Sequence, residues 1–269
     1  MSAAALATIR DTIRRRSGIA MAADKDYLVT SRLEPLLGQL GVPHLAALAD
    51  KLALQPDGQT ATAVVDALTT NETLWFRDGR PFDLVRDTIL PTIFGGASAP
   101  RDLSIWSAAC STGQEPYSLA ILMAEQRARL AGCRVRIVGT DISATALARA
   151  REARYSQFEM QRGLTIQRLI QHFTKDGLDW RLKPELRAMV ELHQANLLAL
   201  PPLGPFDIVM CRNVLIYFDV PTKRAVLSGI AARTKPGGWL LLGAAETTIG
   251  LTTAFQAEPG QSGLYRRLS

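Results

Sequence analysis

A chain of 269 residues, 47% hydrophobic and 21% charged, has enough apolar material for one large packed domain or two modest ones, and its ordinary composition excludes disorder, collagen-like repeats and low complexity. The net charge of +6 suggests an acidic partner without choosing among nucleic acid, membrane and acidic protein. Cys110, Cys133 and Cys211 form no CxxC pair and His44, His172 and His193 lack ligand spacing, so neither a disulfide framework nor a metal site is expected. The first residues, MSAAALATIRDTIRRR, hold no apolar run before a small-residue cleavage site, and no stretch is long enough to span a bilayer; the expectation is a reduced, cytoplasmic protein with no membrane insertion.

The first seventy residues read as helical throughout. Leu6, Ile9 and Ile13 recur at helical spacing, as do Leu33, Leu36, Leu37 and Leu40 before Gly41. Leu45, Leu48 and Leu52 form a third stripe, ended by Pro56-Asp57-Gly58, and Val64, Val65 and Leu68 a fourth. The expected organisation is a helical domain over 1–72, a lead-in and linker over 73–100 that includes a Gly- and Pro-marked loop from Pro91 to Pro100, and an α/β domain over 101–269.

In that last part, short apolar runs alternate with helical segments. Strands are expected at Leu103–Trp106, Val135–Gly139, Met189–His193, Phe206–Cys211, Trp239–Gly243 and Gly263–Arg267, with helices at Pro116–Glu125, Ala144–Arg151 and Thr222–Thr234. Such alternation implies a mainly parallel sheet covered on both faces, with ligands bound beyond the carboxyl ends of its strands. The stretch 154–195 is too long for a simple crossover and carries Asp176-Gly177, a hairpin signal, so an inserted β-subdomain is expected there.

The chemistry concentrates at the strand ends. Trp106-Ser-Ala-Ala-Cys-Ser-Thr-Gly-Gln-Glu-Pro-Tyr-Ser118 follows a strand and opens a helix, and its small residues let a ligand approach the backbone. It contains no GxGxxG or GxxxxGK[ST], and Glu115 would repel a phosphate, so a cationic or hydroxyl-rich ligand fits better; an ordinary small-residue turn is the bland alternative. Asp141, ending the next strand, suits ribose hydroxyls, although Asp141 or Ser143 as a simple helix cap is a common arrangement. The glycine turn and the acid together indicate a nucleoside without a required phosphate, S-adenosylmethionine. Arg212 and Asn213, polar residues directly after a buried strand, are poor core material and good site material, whereas Ile216-Tyr217-Phe218 is equally well read as packing.

These blocks carry a resemblance. Asn71-Glu-Thr-Leu-Trp-Phe-Arg77, the SAACSTGQEP run, Gly139-Thr-Asp141, Asn196-Leu197 and Cys211-Arg-Asn-Val-Leu-Ile-Tyr-Phe218 are similar to the chemotaxis receptor glutamate O-methyltransferases, the CheR family, over nearly the whole chain. The resemblance implies a doubly wound class I methyltransferase (Rossmann-like) sheet with a small inserted β-subdomain, preceded by an all-α N-terminal domain. It further implies methyl transfer from S-adenosylmethionine to receptor glutamates, leaving S-adenosylhomocysteine. By motif position, Asn71, Thr73, Arg77, Glu115, Asp141, Asn196, Leu197, Arg212 and Asn213 would bind the cofactor, and Arg77 and Tyr217 would be catalytic. The chain departs from the pattern at Trp75, where Phe is usual and a larger ring would alter the cleft wall. It departs again at Ala244-Ala245-Glu246, which lacks a His-Ser pair, so no role is carried onto Glu246. The partner would be the cytoplasmic helical region of chemoreceptors, met by a monomer through Arg10, Arg14, Arg15 and Arg16. No nucleic-acid partner is expected, since neither an Asn/Asp-Pro-Pro-aromatic tetrad nor a basic run interleaved with aromatics is present.

Overall fold

The computed structural model describes residues 3–96 and 100–268. By contacts the chain divides into two compact units: residues 1–70 with 216–223, and residues 71–215 with 224–269. Among the described residues, no helix is long and apolar enough to cross a membrane.

The first unit contains α1 (Ala3–Ser17), α2 (Asp26–Leu33), α3 (Leu45–Leu54) and α4 (Gln59–Leu68). The expected stripes face inward: Ile9, Ile13, Val29, Leu33, Leu48, Leu52 and Val64 are fully buried in one cluster. The stripe running to Leu40 does not make one helix. α2 stops at Leu33, and a 3-10 turn follows over Glu34–Leu36, because Pro35 has no N–H for the helical ladder. His44 caps α3, its Nδ1 accepting from Ala47 N at 3.1 Å.

The second unit begins with the segment 71–79 and a helical run made of α5 (Arg80–Leu84), a π-helical turn (Val85–Ile89) and α6 (Leu90–Phe94). Pro91, expected in a loop, lies in α6 directly after the π-helical turn, where the helical ladder is already shifted; residues 97–99 of that expected loop lie outside the described residues. The stretch expected as lead-in and linker supplies core. Trp75, Phe76, Phe82, Val85, Ile89 and Leu90 are buried in the same cluster as the sheet.

The sheet has seven strands: β1 (Asp102–Ala108), β2 (Arg134–Asp141), β6 (Val190–Gln194), β7 (Phe206–Cys211), β8 (Thr234–Leu242), β9 (Phe255–Ala257) and β10 (Leu264–Arg267). Their order is β6-β2-β1-β7-β8-β10-β9, with the first five parallel and β10 antiparallel to both β8 and β9. Leu103, Ile105, Trp106 and Ala108 are all fully buried although alternate residues point to opposite faces, so both faces of β1 are covered. The connecting helices are α7 (Gln114–Glu125) after β1, α8 (Ala144–Glu152) after β2 and α12 (Val220–Ala231) after β7. β8 starts earlier than expected: Lys235-Pro-Gly-Gly238 lies inside the strand, and the β7–β8 register is irregular between Phe206 and Ile208.

Between β2 and β6 the insertion forms a three-stranded antiparallel sheet of β3 (Arg154–Ser156), β4 (Phe173–Asp176) and β5 (Asp179–Leu182), in the order β3-β5-β4. The Asp-Gly hairpin is as expected; β3 and the short helices α9 (Gln157–Met160), α10 (Ile166–His172) and α11 (Pro184–Arg187) complete it. Trp75 is sealed against this subdomain rather than lining a cleft, which corrects the expectation for its ring. It is fully buried and edge-on to Tyr155 and Phe173, with centroids at 4.9 and 5.1 Å.

His172 ends α10. It is buried, its Nε2 lacks a hydrogen bond, and the nearest carboxylate, on Glu125, is 3.9 Å away. Burial lowers its pKa below the usual imidazole value, outweighing Glu125. A base depressed on folding binds its proton more readily in the unfolded chain. Its contribution is therefore complete above about pH 6.5 and lost as pH falls through the lower folded value. Between about pH 7 and pH 5 the melting temperature of the wild type is expected to fall more steeply than that of His172→Gln; superimposable pH profiles would refute this.

Candidate functional site

The strand order places the site. The chain leaves β1 for β2 and β6 on one side, then returns to add β7 on the other, so the crevice past the carboxyl ends of β1 and β7 is a topological switch point. The loops there hold most of the strained backbone. Six described non-glycine residues have positive φ, and five of them are Phe76 (47°), Asp78 (67°), Ala109 (58°), Ser111 (51°) and Asn213 (58°). Each such residue costs on the order of 1–3 kcal/mol and persists only where its surroundings hold it.

The loop after β1 is held by hydrogen bonds from several directions. Ser111 N donates to Asp141 Oδ2 at 2.7 Å, Cys110 N to Thr140 O at 2.9 Å, Ser111 Oγ to Asn71 O at 2.8 Å, and the Tyr155 hydroxyl to Thr112 O at 2.9 Å. Gly113 then opens α7 at φ 95°, where an added Cβ would sit 2.9 Å from the Tyr117 ring and 3.0 Å from Ala150 Cβ; only glycine lets α7 start so close to α8.

Asp141 is buried at the tip of β2. Besides Ser111 N, it accepts from Ser143 N at 2.9 Å, while Ser143 itself caps α8 through Ala146 N at 3.0 Å. The two readings of this acid are thus separated: Ser143 is the cap, and Asp141 braces the loop at the crevice. Asn196 and Leu197 follow β6 in a turn tied to the same strand end, with Ala195 N donating to Asp141 O at 2.9 Å and Leu198 N to Asn196 Oδ1 at 3.0 Å. Leu197 is buried.

The charge of Arg212 is met within the chain. Its side chain is fully buried, and it donates to Glu115 at 2.8 Å and to both Asp78 and the Arg77 carbonyl at 2.7 Å. The guanidinium lies 5.8 Å from the centroid of the Phe82 ring, and Nε finds no acceptor. Glu115, expected beside the cofactor, spends one oxygen on Arg212 and the other on the Ser107 hydroxyl at 2.7 Å. Arg77 differs. It is half-buried, donates to Glu72 O at 2.9 Å, and has no carboxylate partner among the described residues. Asn71 and Thr73, half-buried, lie in the same segment; Thr73 precedes Trp75 and Phe76, whose backbone N–H groups donate to Arg162 O at 3.1 Å and Ser118 Oγ at 3.0 Å.

Asn213 is half-buried, and its N–H donates to Glu246 Oε2 at 2.8 Å. Tyr217 falls in the first unit, where its carbonyl accepts from Ala20 N at 2.9 Å. The structure therefore joins Glu115, Arg212, Asp78, Ser107 and the Arg77 carbonyl in one hydrogen-bonded network and Asn71, Ser111 and Asp141 in another, with Glu246 holding the N–H groups after β7; Asp78, Ser107 and the part played by Glu246 were not read from the sequence. The thiols nearby are inert: burial, then neighbouring carboxylates, push Cys110 and Cys211 well above the usual range.

The chain matches two family models, the all-alpha domain of CheR methyltransferases over residues 4–69 and their SAM-binding domain over residues 71–264. It belongs to the CheR methyltransferase family. Chemotaxis protein methyltransferase Cher2 of Pseudomonas putida is 42% identical over 249 residues, covering 91% of this chain and 90% of that protein. Chemotaxis protein methyltransferase 1 of Pseudomonas aeruginosa is also 42% identical, covering 95% and 94%, and the Escherichia coli protein is 33% identical, covering 92% and 85%.

The residues of this CheR protein fit S-adenosylmethionine. The crevice offers a buried carboxylate at the end of β2 and small side chains along the loop after β1, suited to ribose hydroxyls and close backbone approach. The buried Arg212 guanidinium is already met by two carboxylates, so it is not held ready for a phosphate.

Two outcomes follow for this site. Arg212→Ala strands Glu115 and Asp78, and removing one member of a buried ion pair costs about 3–5 kcal/mol, to be seen as an early urea midpoint; a midpoint within error of wild type would contradict the bracing role. Asp141→Ala is expected to weaken S-adenosylhomocysteine binding by roughly tenfold or more, read by calorimetry, and an unchanged affinity would remove it from the cofactor site.

Proposed function

We propose that this protein moves a methyl group from S-adenosylmethionine to glutamate side-chain carboxylates in the cytoplasmic helical region of chemoreceptors, forming glutamyl methyl esters, as a cytoplasmic monomer. The observation that carries this reading is Arg77. In a framework where Arg212 is consumed by Glu115 and Asp78, Arg77 is a cation without an acidic partner among the described residues, on the segment braced against the crevice. A guanidinium so placed suits an incoming carboxylate through charge-assisted hydrogen bonds.

When bound, S-adenosylmethionine supplies a methyl group on a positively charged sulfur. Asn71, Thr73, Arg77, Glu115, Asp141, Asn196, Leu197, Arg212 and Asn213 are the residues proposed to hold it. A glutamate has a pKa near 4.3 and is ionised at neutral pH, so the chain needs no general base, in keeping with a framework that pairs carboxylates with N–H groups and a guanidinium. The work left to the protein is placement, which can supply about 7–11 kcal/mol of a barrier. Arg77 orients the carboxylate through one oxygen, leaving the other to attack. Tyr217, whose assignment rests on the family motif, is proposed as the second catalytic residue.

The basic first helix is partly self-neutralised. Arg10 pairs with Asp26, Arg16 with Asp57 at 3.1 Å, and Arg14 with Asp219 at 2.5 Å, while Arg15 reaches only the Pro56 carbonyl at 3.4 Å. Of the four arginines proposed to meet an acidic receptor surface, the exposed Arg15 is the one without a carboxylate partner among the described residues.

With receptor cytoplasmic fragments and methyl-labelled S-adenosylmethionine, Arg77→Ala is expected to lower kcat/KM for base-labile labelling by roughly 10- to 100-fold, the worth of about 1.5–3 kcal/mol for a hydrogen bond to a charged group. Undiminished labelling would overturn the anchoring role, and label resistant to base would overturn the ester.

A further inference from the structure

Glu246 follows β8 in Gly243-Ala-Ala-Glu246 and is buried without a cationic partner among the described residues. Its carboxylate accepts four backbone N–H groups instead. Oε2 takes Asn213 N at 2.8 Å and Gly243 N at 2.7 Å; Oε1 takes Val214 N at 2.9 Å and Leu215 N at 2.7 Å. An ionised carboxylate has about four lone-pair sites, and these four bonds occupy them, so Glu246 has nothing left to offer a ligand.

What the bonds accomplish is local. Three successive N–H groups, those of residues 213–215, converge on one anion, and that convergence holds Asn213 at φ 58°, a left-handed conformation that costs a non-glycine residue free energy although asparagine tolerates it better than most. Gly243 closes the arrangement from the other side. A Cβ there would stand 2.7 Å from Glu246 Oε2 and 3.0 Å from both Asn213 N and its side-chain Nδ2. Directly upstream, Arg212 is clamped by Asp78 and Glu115.

From this geometry we infer that Glu246 is a positioning residue for cofactor binding: it sets the backbone of residues 213–215 so that the Asn213 amide faces S-adenosylmethionine. The inference rests on the placement of Asn213 at the cofactor. It acts through Asn213, touches no reacting atom, and contributes by fixing where a neighbour's amide points.

The experiment measures S-adenosylhomocysteine affinity by calorimetry on the full chain, at a temperature where circular dichroism shows each variant folded. Glu246→Gln keeps the size but turns an N–H₂ toward backbone donors. It is expected to raise the dissociation constant at least tenfold, while the KM for receptor fragments at saturating cofactor stays within about twofold. Because the effect passes through Asn213, the double variant Glu246→Gln/Asn213→Ala should bind no more weakly than the weaker single variant. A role in stability alone predicts wild-type affinity, or losses that multiply, and either result would overturn the inference. Gly243→Ala, which displaces the carboxylate without altering its charge, should reproduce the loss; full affinity there also counts against it. If Asn213→Ala alone binds as wild type does, the placement of Asn213 fails and takes the inference with it, a result distinct from failure of Glu246 alone.

Discussion

The buried Arg212 guanidinium is the constraint on which the crevice depends. Taking a guanidinium out of water costs several kcal/mol unless good partners surround it, and here they come from separate places: Glu115 in the first turn of α7, and Asp78 with the Arg77 carbonyl in the segment before α5. Satisfying one cation therefore fixes the end of β7, the start of α7 and the Arg77 segment relative to one another. The strained backbone at Phe76, Asp78, Ala109, Ser111 and Asn213 is tolerable because these neighbours are locked.

A second regularity runs through the site. Two of its acids, Asp78 and Glu115, are spent on Arg212, and the other two, Asp141 and Glu246, act on the chain's own backbone. Asp141 ties the loop after β1 to its own turn, and Glu246 gathers the N–H groups after β7. Methyl transfer to an already ionised nucleophile asks a protein for geometry more than for proton traffic. Asp141 and Glu246 hold loops, and burial raises the Cys110 and Cys211 thiols, which suits the proposed transfer to a carboxylate.

The features legible in the sequence were those with a local signal. The apolar runs of β1, β2, β6, β7 and β10, the helical stripes around Ile9, Leu48 and Val64, and the Asp176-Gly177 hairpin each fall within a few residues of one another. The features that escaped depend on partners distant in sequence. The pairing of Glu115 with Arg212 is invisible in the sequence, because nothing near either residue shows that they will meet. Arg10 and Arg16 looked like free surface charge because Asp26 and Asp57 reach them only after the helices pack. β3 and β9, three residues each, are too short for periodicity to register. Glu246 stood at a recognisable motif position, but its role was not legible, since its partners are backbone groups and every residue has those.

The packing of Trp75 bears on how such enzymes diverge. Its indole fills the space between Tyr155 and Phe173, so the inserted sheet and the Arg77 segment share one aromatic joint. Chimeras that exchange the insertion between homologues would meet a mismatch there: a Phe-bearing recipient would leave a void beneath the graft, and a bulkier graft would push on the very strand of chain that carries Arg77.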